Sequence, residues 1–232
     1  MGCRTLPKRT SLTRTLLSTA VLHYGMNDPR TDTDPRRAAI LRQARRHFMT
    51  RGYAATRIEP IAREAAVSTA TLYTYFQSKD DLFAAVIASA SQAFAAQMAK
   101  VTHGAEGPAR AQVLQFALAY ANFMGDPFVR SVFRLVMAER PRFREVAEGF
   151  FEKGRSDFGA PLIACLSRLC DAGELKIEKR SWAAGQLMGM IEHPVFFVPL
   201  VTGDDVHVAR PADLIAEDAV DTFLARYGWR QG

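Results

Sequence analysis

Between Thr56 and Lys79 the chain concentrates hydroxyls, phenols and cations: Thr56, Arg57, Ser68, Thr69, Thr71, Tyr73, Thr74, Tyr75 and Lys79, with the small Ala70 among them. Cations and phenols reach phosphates, hydroxyls meet a base edge or a phosphate, and methyl-bearing side chains suit a thymine methyl. That combination fits contact with a nucleic-acid duplex. It does not fit a reaction: proton transfer needs paired carboxylates or a His-centred set, and a metal site needs clustered His, Cys or acids. His23, His47, His103, His193 and His207 are scattered without such spacing, so no catalytic residue, metal site or cofactor is expected. Cys3, Cys165 and Cys170 are too few for a disulfide framework. Cys165 and Cys170 lie five apart on a helical stretch and point to different sides, which argues against a thiol sensor that bridges them directly. The chain reads as cytoplasmic, with reduced thiols.

Charge supports the same module. The formal net charge is +6, but residues 36–79 alone carry eight Arg and one Lys against Glu59 and Glu64, while residues 80–232 are slightly acidic. A basic block ahead of a near-neutral body suits polyanion binding, with a solvated charged face as the alternative. No apolar run in the sequence approaches the ~18 residues of a membrane helix, and no membrane partner is expected. Residues 1–35 are taken as a disordered extension. Its basic part is either an arm adding non-specific DNA affinity or a segment upstream of a true start at Met26.

The elements that position these residues are helices throughout, so the expected class is all-α. Ile40, Leu41, Ala44, Phe48 and Met49 form the stripe of a first helix that Gly52 stops. Thr56-Arg57-Ile58-Glu59 matches a capping box, with the Thr56 oxygen accepting from the N3 amide and Glu59 reaching back. Ala66-Val67-Ser68 follows as a tight turn, Ser68 or Thr69 caps the next helix over 70–76, and a long helix starts near Lys79. Two short helices joined by three residues make a helix-turn-helix, whose second helix would enter the major groove. Later helices are expected over 109–124, 127–140, 142–171, 179–200 and 211–227, kinked or interrupted at Pro161, Pro194 and Pro199. A DNA-binding head is placed over 36–83 and a helical body over 84–232, with the clearest composition break at Gly104 to Pro108.

Gly52-Tyr53-Ala54-Ala55-Thr56-Arg57-Ile58, Ile61-Ala62, Ala65-Ala66-Val67-Ser68, Thr71-Leu72-Tyr73, Tyr75-Phe76, Lys79 and Asp81-Leu82-Phe83 resemble the N-terminal domain of TetR/AcrR regulators. The resemblance covers about fifty residues. It departs from the family at Ala66, where Gly is usual, and at Pro60, where a helix former is usual. It implies backbone contacts for Thr56 and Arg57, groove contacts for Thr69, Ala70, Thr71 and Thr74, and phosphate contacts for Tyr73, Tyr75 and Lys79. Phe133-Arg134-Leu135-Val136, Pro141-Arg142-Phe143, Gly173-Glu174-Leu175 and Ala183-Ala184 resemble the AefR-like subgroup.

The family resemblance implies a repressor that binds a palindromic double-stranded operator as a homodimer, through helices near 179–200 and 211–227. A small-molecule effector would release it. The candidate pocket residues are Phe116, Tyr120, Phe123, Met137, Phe150, Trp182, Met188 and His193, with Glu192, His193, Tyr120 or Asn122 as polar anchors. Effector binding would favour a state with wrongly spaced recognition helices, relayed along the long helix from Lys79. A helical protein–protein adaptor with a decayed DNA head is the competing class.

Overall fold

The computed structural model describes residues 34–102, 107–204 and 210–228. Residues 1–33 of the extension expected over 1–35 lie outside them, as do His103 and His207, whereas Asp34 and Pro35 belong to the start of the first helix. The described residues are helical, apart from one isolated antiparallel bridge between Leu175 and Gly228.

Helix α1 (Pro35–Ala55) starts at Asp34, whose Oδ1 accepts the Arg36 amide at 2.8 Å. Pro35 takes the first position, where its missing N–H is not needed. Ile40, Leu41, Ala44 and Phe48 are buried as their spacing requires. Gly52 leaves the helical path at φ +72, a conformation that costs a residue with Cβ far more than it costs Gly.

Helix α2 (Ile58–Glu64) corrects the expected capping box. Its N-cap is Arg57, with no side-chain cap. Thr56 is buried, and its hydroxyl donates backwards to the carbonyls of Gly52 (2.7 Å) and His47 (3.2 Å). The Gly52 break exposes carbonyls that α1 no longer satisfies, and Thr56 is the nearest donor. Burying those acceptors unpaired would cost more than a missing N-cap on a short helix. Pro60 falls in the first turn of α2, as expected.

The turn after α2 is a Schellman motif. The Val67 amide donates to the Ala62 carbonyl (3.0 Å) and the Ala66 amide to the Arg63 carbonyl (3.1 Å). This geometry puts Ala66 at φ 56, the one non-Gly residue at positive φ among those described. Ser68 then caps α3 (Thr69–Tyr75), its Oγ accepting the Thr71 amide at 3.0 Å. Leu72 and Phe76 anchor α3 in the core.

Helix α4 (Lys79–Thr102) leads from the head into the body. Helix α5 (Ala109–Met124) keeps Arg110, Gln115 and Asn122 exposed and buries its apolar residues, with Val113, Ala117, Tyr120, Ala121 and Phe123 at the centre. Helix α6 (Pro127–Glu139) follows. Helix α7 covers 144–171 and α8 covers Arg180–Thr202. Each holds one π-helical stretch, Arg155–Gly159 and His193–Phe197. The prolines explain both. The Ala160 amide reaches back five residues to Arg155, and that of Val198 to His193; Pro161 and Pro199 come next. A proline ring would clash with the carbonyl four residues back, and the wider turn removes the clash without ending the helix.

Helix α9 (Ala212–Tyr227) packs on α5 and α8. Buried Arg130 joins α6 to the end of α8 through Asp204 (2.7 Å) and the carbonyls of Gly125 and Val195. By length and mean hydropathy alone, α8 could cross a membrane, which the sequence reading did not anticipate. The helix is continuous across Pro194 and Pro199, and one side packs in the bundle through Ala183, Ala184, Leu187 and Ile191.

Ala66 carries a conformational penalty that glycine would not. Ala66→Gly should stabilise the protein by about 0.5–1 kcal/mol, a rise of about 1–4 °C in Tm. An unchanged or lower Tm by calorimetry would show that the turn is not strained.

Candidate functional site

Arg57, Ser68, Ala70, Tyr73 and Thr74 are exposed around α2 and α3, and Thr69, Thr71 and Lys79 are half-buried. Tyr73 points outwards, 45% exposed. Thr74 donates its hydroxyl to the Thr71 carbonyl (2.6 Å), and the Thr71 and Ser68 hydroxyls pair at 2.8 Å. These bonds fix the rotamers while each oxygen keeps acceptor capacity for a partner.

Two expected contact residues are occupied inside the chain. Thr56 has both its hydroxyl and its amide bonded internally, the amide to the Tyr53 carbonyl, so neither is available to a phosphate. Tyr75 donates its hydroxyl to Asp34 Oδ2 at 2.6 Å and so braces α3 against the start of α1. That bond lowers the Asp34 carboxyl below its ordinary pKa and raises the Tyr75 phenol. Lys79 lies with Nζ 4.3 Å from the centre of the Tyr53 ring and donates to the Ala54 carbonyl (3.3 Å). Burial, followed by the nearby Arg142, holds its ammonium below the usual lysine range.

In the body, α4, α5, α6, α7 and α8 line a partly open cavity of about 210 Å³. Tyr120, Phe150 and Met188 line it, as the sequence suggested. Phe116 and Phe123 are buried one layer behind, against Tyr120 and Phe158 respectively. Met137, Trp182 and His193 do not line it. The first two are 50% and 68% exposed, and exposed His193 stacks on Phe197. Each sits on an outward face of its helix, where apolar character reflects something other than a pocket. Asn122 is also exposed. Of the expected polar anchors, Tyr120 and Glu192 line the cavity and are paired, the Tyr120 phenol donating to Oε1 of the carboxylate. Burial, followed by Glu192, pushes the Tyr120 phenol well above its ordinary pKa. Sequence reading missed Phe94, Phe133, Phe158 and Phe196 as lining residues. Nothing in a helix apolar on both faces says which face meets a void. Both π-helical stretches border the cavity, through Arg155, Asp157, Phe158 and Phe196.

Residues 40–86 match the model of the bacterial regulatory proteins of the tetR family, and residues 111–229 match that of the AefR-like transcriptional repressor C-terminal domain. The chain belongs to the TetR family of transcriptional regulators. The HTH-type transcriptional regulator HbdR of Aromatoleum sp. (strain CIB) is 44% identical over 57 residues, 25% of this chain and 24% of that protein, so this match spans about a quarter of each. A putative TetR-family regulator from Mesorhizobium loti MAFF303099 is similar in structure, with TM-score 0.68 and 24% identity over 83% of this chain and 96% of that one. The flavonoid-responsive regulator FrrA gives TM-score 0.66 and 26% identity over 83% of this chain and 97% of its own. TetR-family members are soluble DNA-binding proteins that act by binding rather than by catalysis. Among the described residues no group of three His, Cys, Asp or Glu could hold a metal. Cys165 and Cys170 are free, and burial raises the Cys165 thiol.

How the TetR head meets the AefR-like body was not foreseen. Tyr53, at the end of α1, donates its hydroxyl to Asp80 in the first turn of α4. Arg142, just before α7, bridges to the same carboxylate at 3.2 Å and places its guanidinium 4.9 Å from the Tyr53 ring. Phe143 stacks on Phe83 (4.5 Å) and meets the Tyr53 edge (4.9 Å). Burial and Asp80 together raise the Tyr53 phenol to about 12. Tyr53 and Arg142 carry no signal beyond the family motifs they belong to, and Arg142 is 62 residues from Asp80, so no local pattern announces the contact.

The Tyr53 hydroxyl, followed by Arg142, holds the Asp80 carboxyl below its ordinary range. Its contribution to stability is therefore complete above the unfolded-state pKa of ~3.9 and is lost as the pH falls through the lower folded-state value. Asp80→Asn should lower Tm at neutral pH, and the gap from wild type should close as melts are taken towards about pH 3. A gap independent of pH would mean that the carboxylate charge is irrelevant to the junction.

Proposed function

We propose that the chain is a ligand-responsive repressor that binds a palindromic operator as a homodimer and is released when a small molecule fills the cavity. The reading is carried by one observation: helices that hold the head also line the cavity, α4 and α6 packing on α1 and α7 bringing Arg142 and Phe143 to Tyr53. Helix α4 places Asp80 and Phe83 at the junction and Ser91 and Phe94 at the cavity. Helix α7 has Phe143 at its N-cap and Phe150, Gly154 and Phe158 along the cavity wall. Phe143 and Phe150 are about 10 Å apart along one helix, at 1.5 Å per residue. A ligand pressing on Phe150 or Phe158 would move α7 as a rod and shift Arg142 and Phe143 against Tyr53. That favours a state in which the head is turned relative to the body. The sequence reading gave this relay to α4 alone; the geometry supports α4 and α7 together.

On DNA, α3 would lie in the major groove with Ala70, Thr74 and Thr69 towards the bases. Tyr73, Arg57 and Lys79 would reach phosphates. A palindrome needs a two-fold reader. Helices α8 and α9 expose Trp182, Phe197, Val201 and Leu214, an apolar surface that a second copy would cover. The small-molecule reading is further supported by FrrA, whose name states that it responds to flavonoids. An operator on the chromosome places the protein in the cytoplasm.

Fluorescence anisotropy with DNA from the protein's own promoter should show tight, salt-sensitive binding that is lost on scrambled DNA. Lys79→Ala should weaken binding to every sequence and reduce the salt slope by about one, whereas Thr74→Val should alter discrimination between sequences. Equal affinity for promoter and random DNA would overturn the operator reading and favour an adaptor.

A further inference from the structure

We propose that the effector is a small organic cation, one apolar or aromatic ring carrying an ammonium group that sits against Glu192. This rests on the cavity being the effector site, and it names the class of molecule that fits.

Size comes first. The cavity is about 210 Å³. An apolar cavity of about 150 Å³ takes benzene, so this one accommodates a ring with a short chain. The walls are ring systems: Phe94, Phe133, Phe150, Phe158, Phe196 and Tyr120. Aromatic rings present negative faces, which attract a cation most strongly where water is excluded.

The polar groups decide the charge. Glu192 lines the cavity from α8, just before the π-helical stretch. Its Oε1 accepts the buried Tyr120 hydroxyl, which orients the carboxylate, and no ion pair among the described residues involves it. The cavity's two cations are paired along their own helix, Lys153 with Asp157 (2.9 Å) and Arg155 with Glu152 (3.7 Å). Their side chains are 41% and 69% exposed, so they stand at the rim and in water rather than beside Glu192. An anionic ligand would meet Glu192 with no buried cation to offset it. A neutral ligand would take the water from the carboxylate and leave it without a counter-charge. An ammonium group supplies that charge, donates to the carboxylate and gains the ring faces at once.

Three nearly isosteric probes separate these cases: 2-phenylethylammonium, 2-phenylethanol and phenylacetate, titrated calorimetrically into the full-length protein at about pH 7, where the amine is protonated and the acid ionised. The ammonium should bind at least about tenfold more tightly than either of the others. Glu192→Gln, which keeps an acceptor for Tyr120, should remove that lead and leave the alcohol unchanged. Phenylacetate or 2-phenylethanol binding as tightly as the amine would overturn the proposal, as would no binding by any probe or an unaltered preference in Glu192→Gln. The same probes added to the operator complex test the other reading separately. Tight ammonium binding that leaves DNA affinity unchanged would support the ligand class and sink release by the cavity. Release by phenylacetate with no response to the amine would do the reverse.

Discussion

Tyr53 is held between two cations and a carboxylate. Lys79 and Arg142 approach its ring, Asp80 accepts its hydroxyl, and Phe83 and Phe143 close around it. With the packing of α1 on α4 and α6, this contact sets the head against the body. Tyr53 follows the Gly52 break in α1, Lys79 and Asp80 begin α4, and Arg142 and Phe143 precede α7, so three separate elements converge on one ring. The interaction is only partly buried. Its Arg142–Asp80 pair is about half exposed on both sides and contributes little alone. The strength lies in the cluster of rings beneath the pair, where edge-to-face and stacked contacts add to apolar burial.

The head was the legible part. Its signals are local: a glycine stop, apolar residues at helical spacing, a three-residue turn and a serine cap, all within fifty residues. The structure reproduces them, including the left-handed turn that Ala66 accepts in place of glycine. The misreadings also have physical causes. Thr56 fits a capping box by spacing, but its hydroxyl is claimed by carbonyls that the Gly52 break leaves open. Tyr75, placed by the sequence at a phosphate, also has a partner within the chain, Asp34, which lies 41 residues away and which no local pattern signals. In the body, apolar residues lie on more than one face of most helices. Trp182 and Met137 are therefore indistinguishable from Met188 and Phe150 by pattern, although the first pair is on the surface and the second lines the cavity. Arg130 and Arg142 have partners more than sixty residues away, beyond the reach of any periodicity argument.

The two π-helical stretches link covalent constraint to cavity shape. Each lies just ahead of a proline that an ordinary helix could not absorb, and each widens its helix beside the cavity. The prolines that the sequence marked as interruptions do not end α7 or α8. They bend the helical ladder where Phe158 and Phe196 must reach inwards, and Glu192 sits at the edge of the second stretch. The half-buried Glu192 and the aromatic wall of the cavity are thus held by backbone geometry as well as by packing.

Coupling between cavity and head is the central claim, and a double-mutant cycle on operator affinity tests it most directly. Met188→Trp fills the cavity in place of a ligand, and Arg142→Ala releases the junction, with helical content by circular dichroism confirming that each variant is folded. The account predicts that Met188→Trp weakens operator binding in the wild-type background and has a much smaller effect once Arg142 is gone, a coupling of about 1 kcal/mol or more. Strictly additive effects would contradict it, because cavity and DNA head would then be independent.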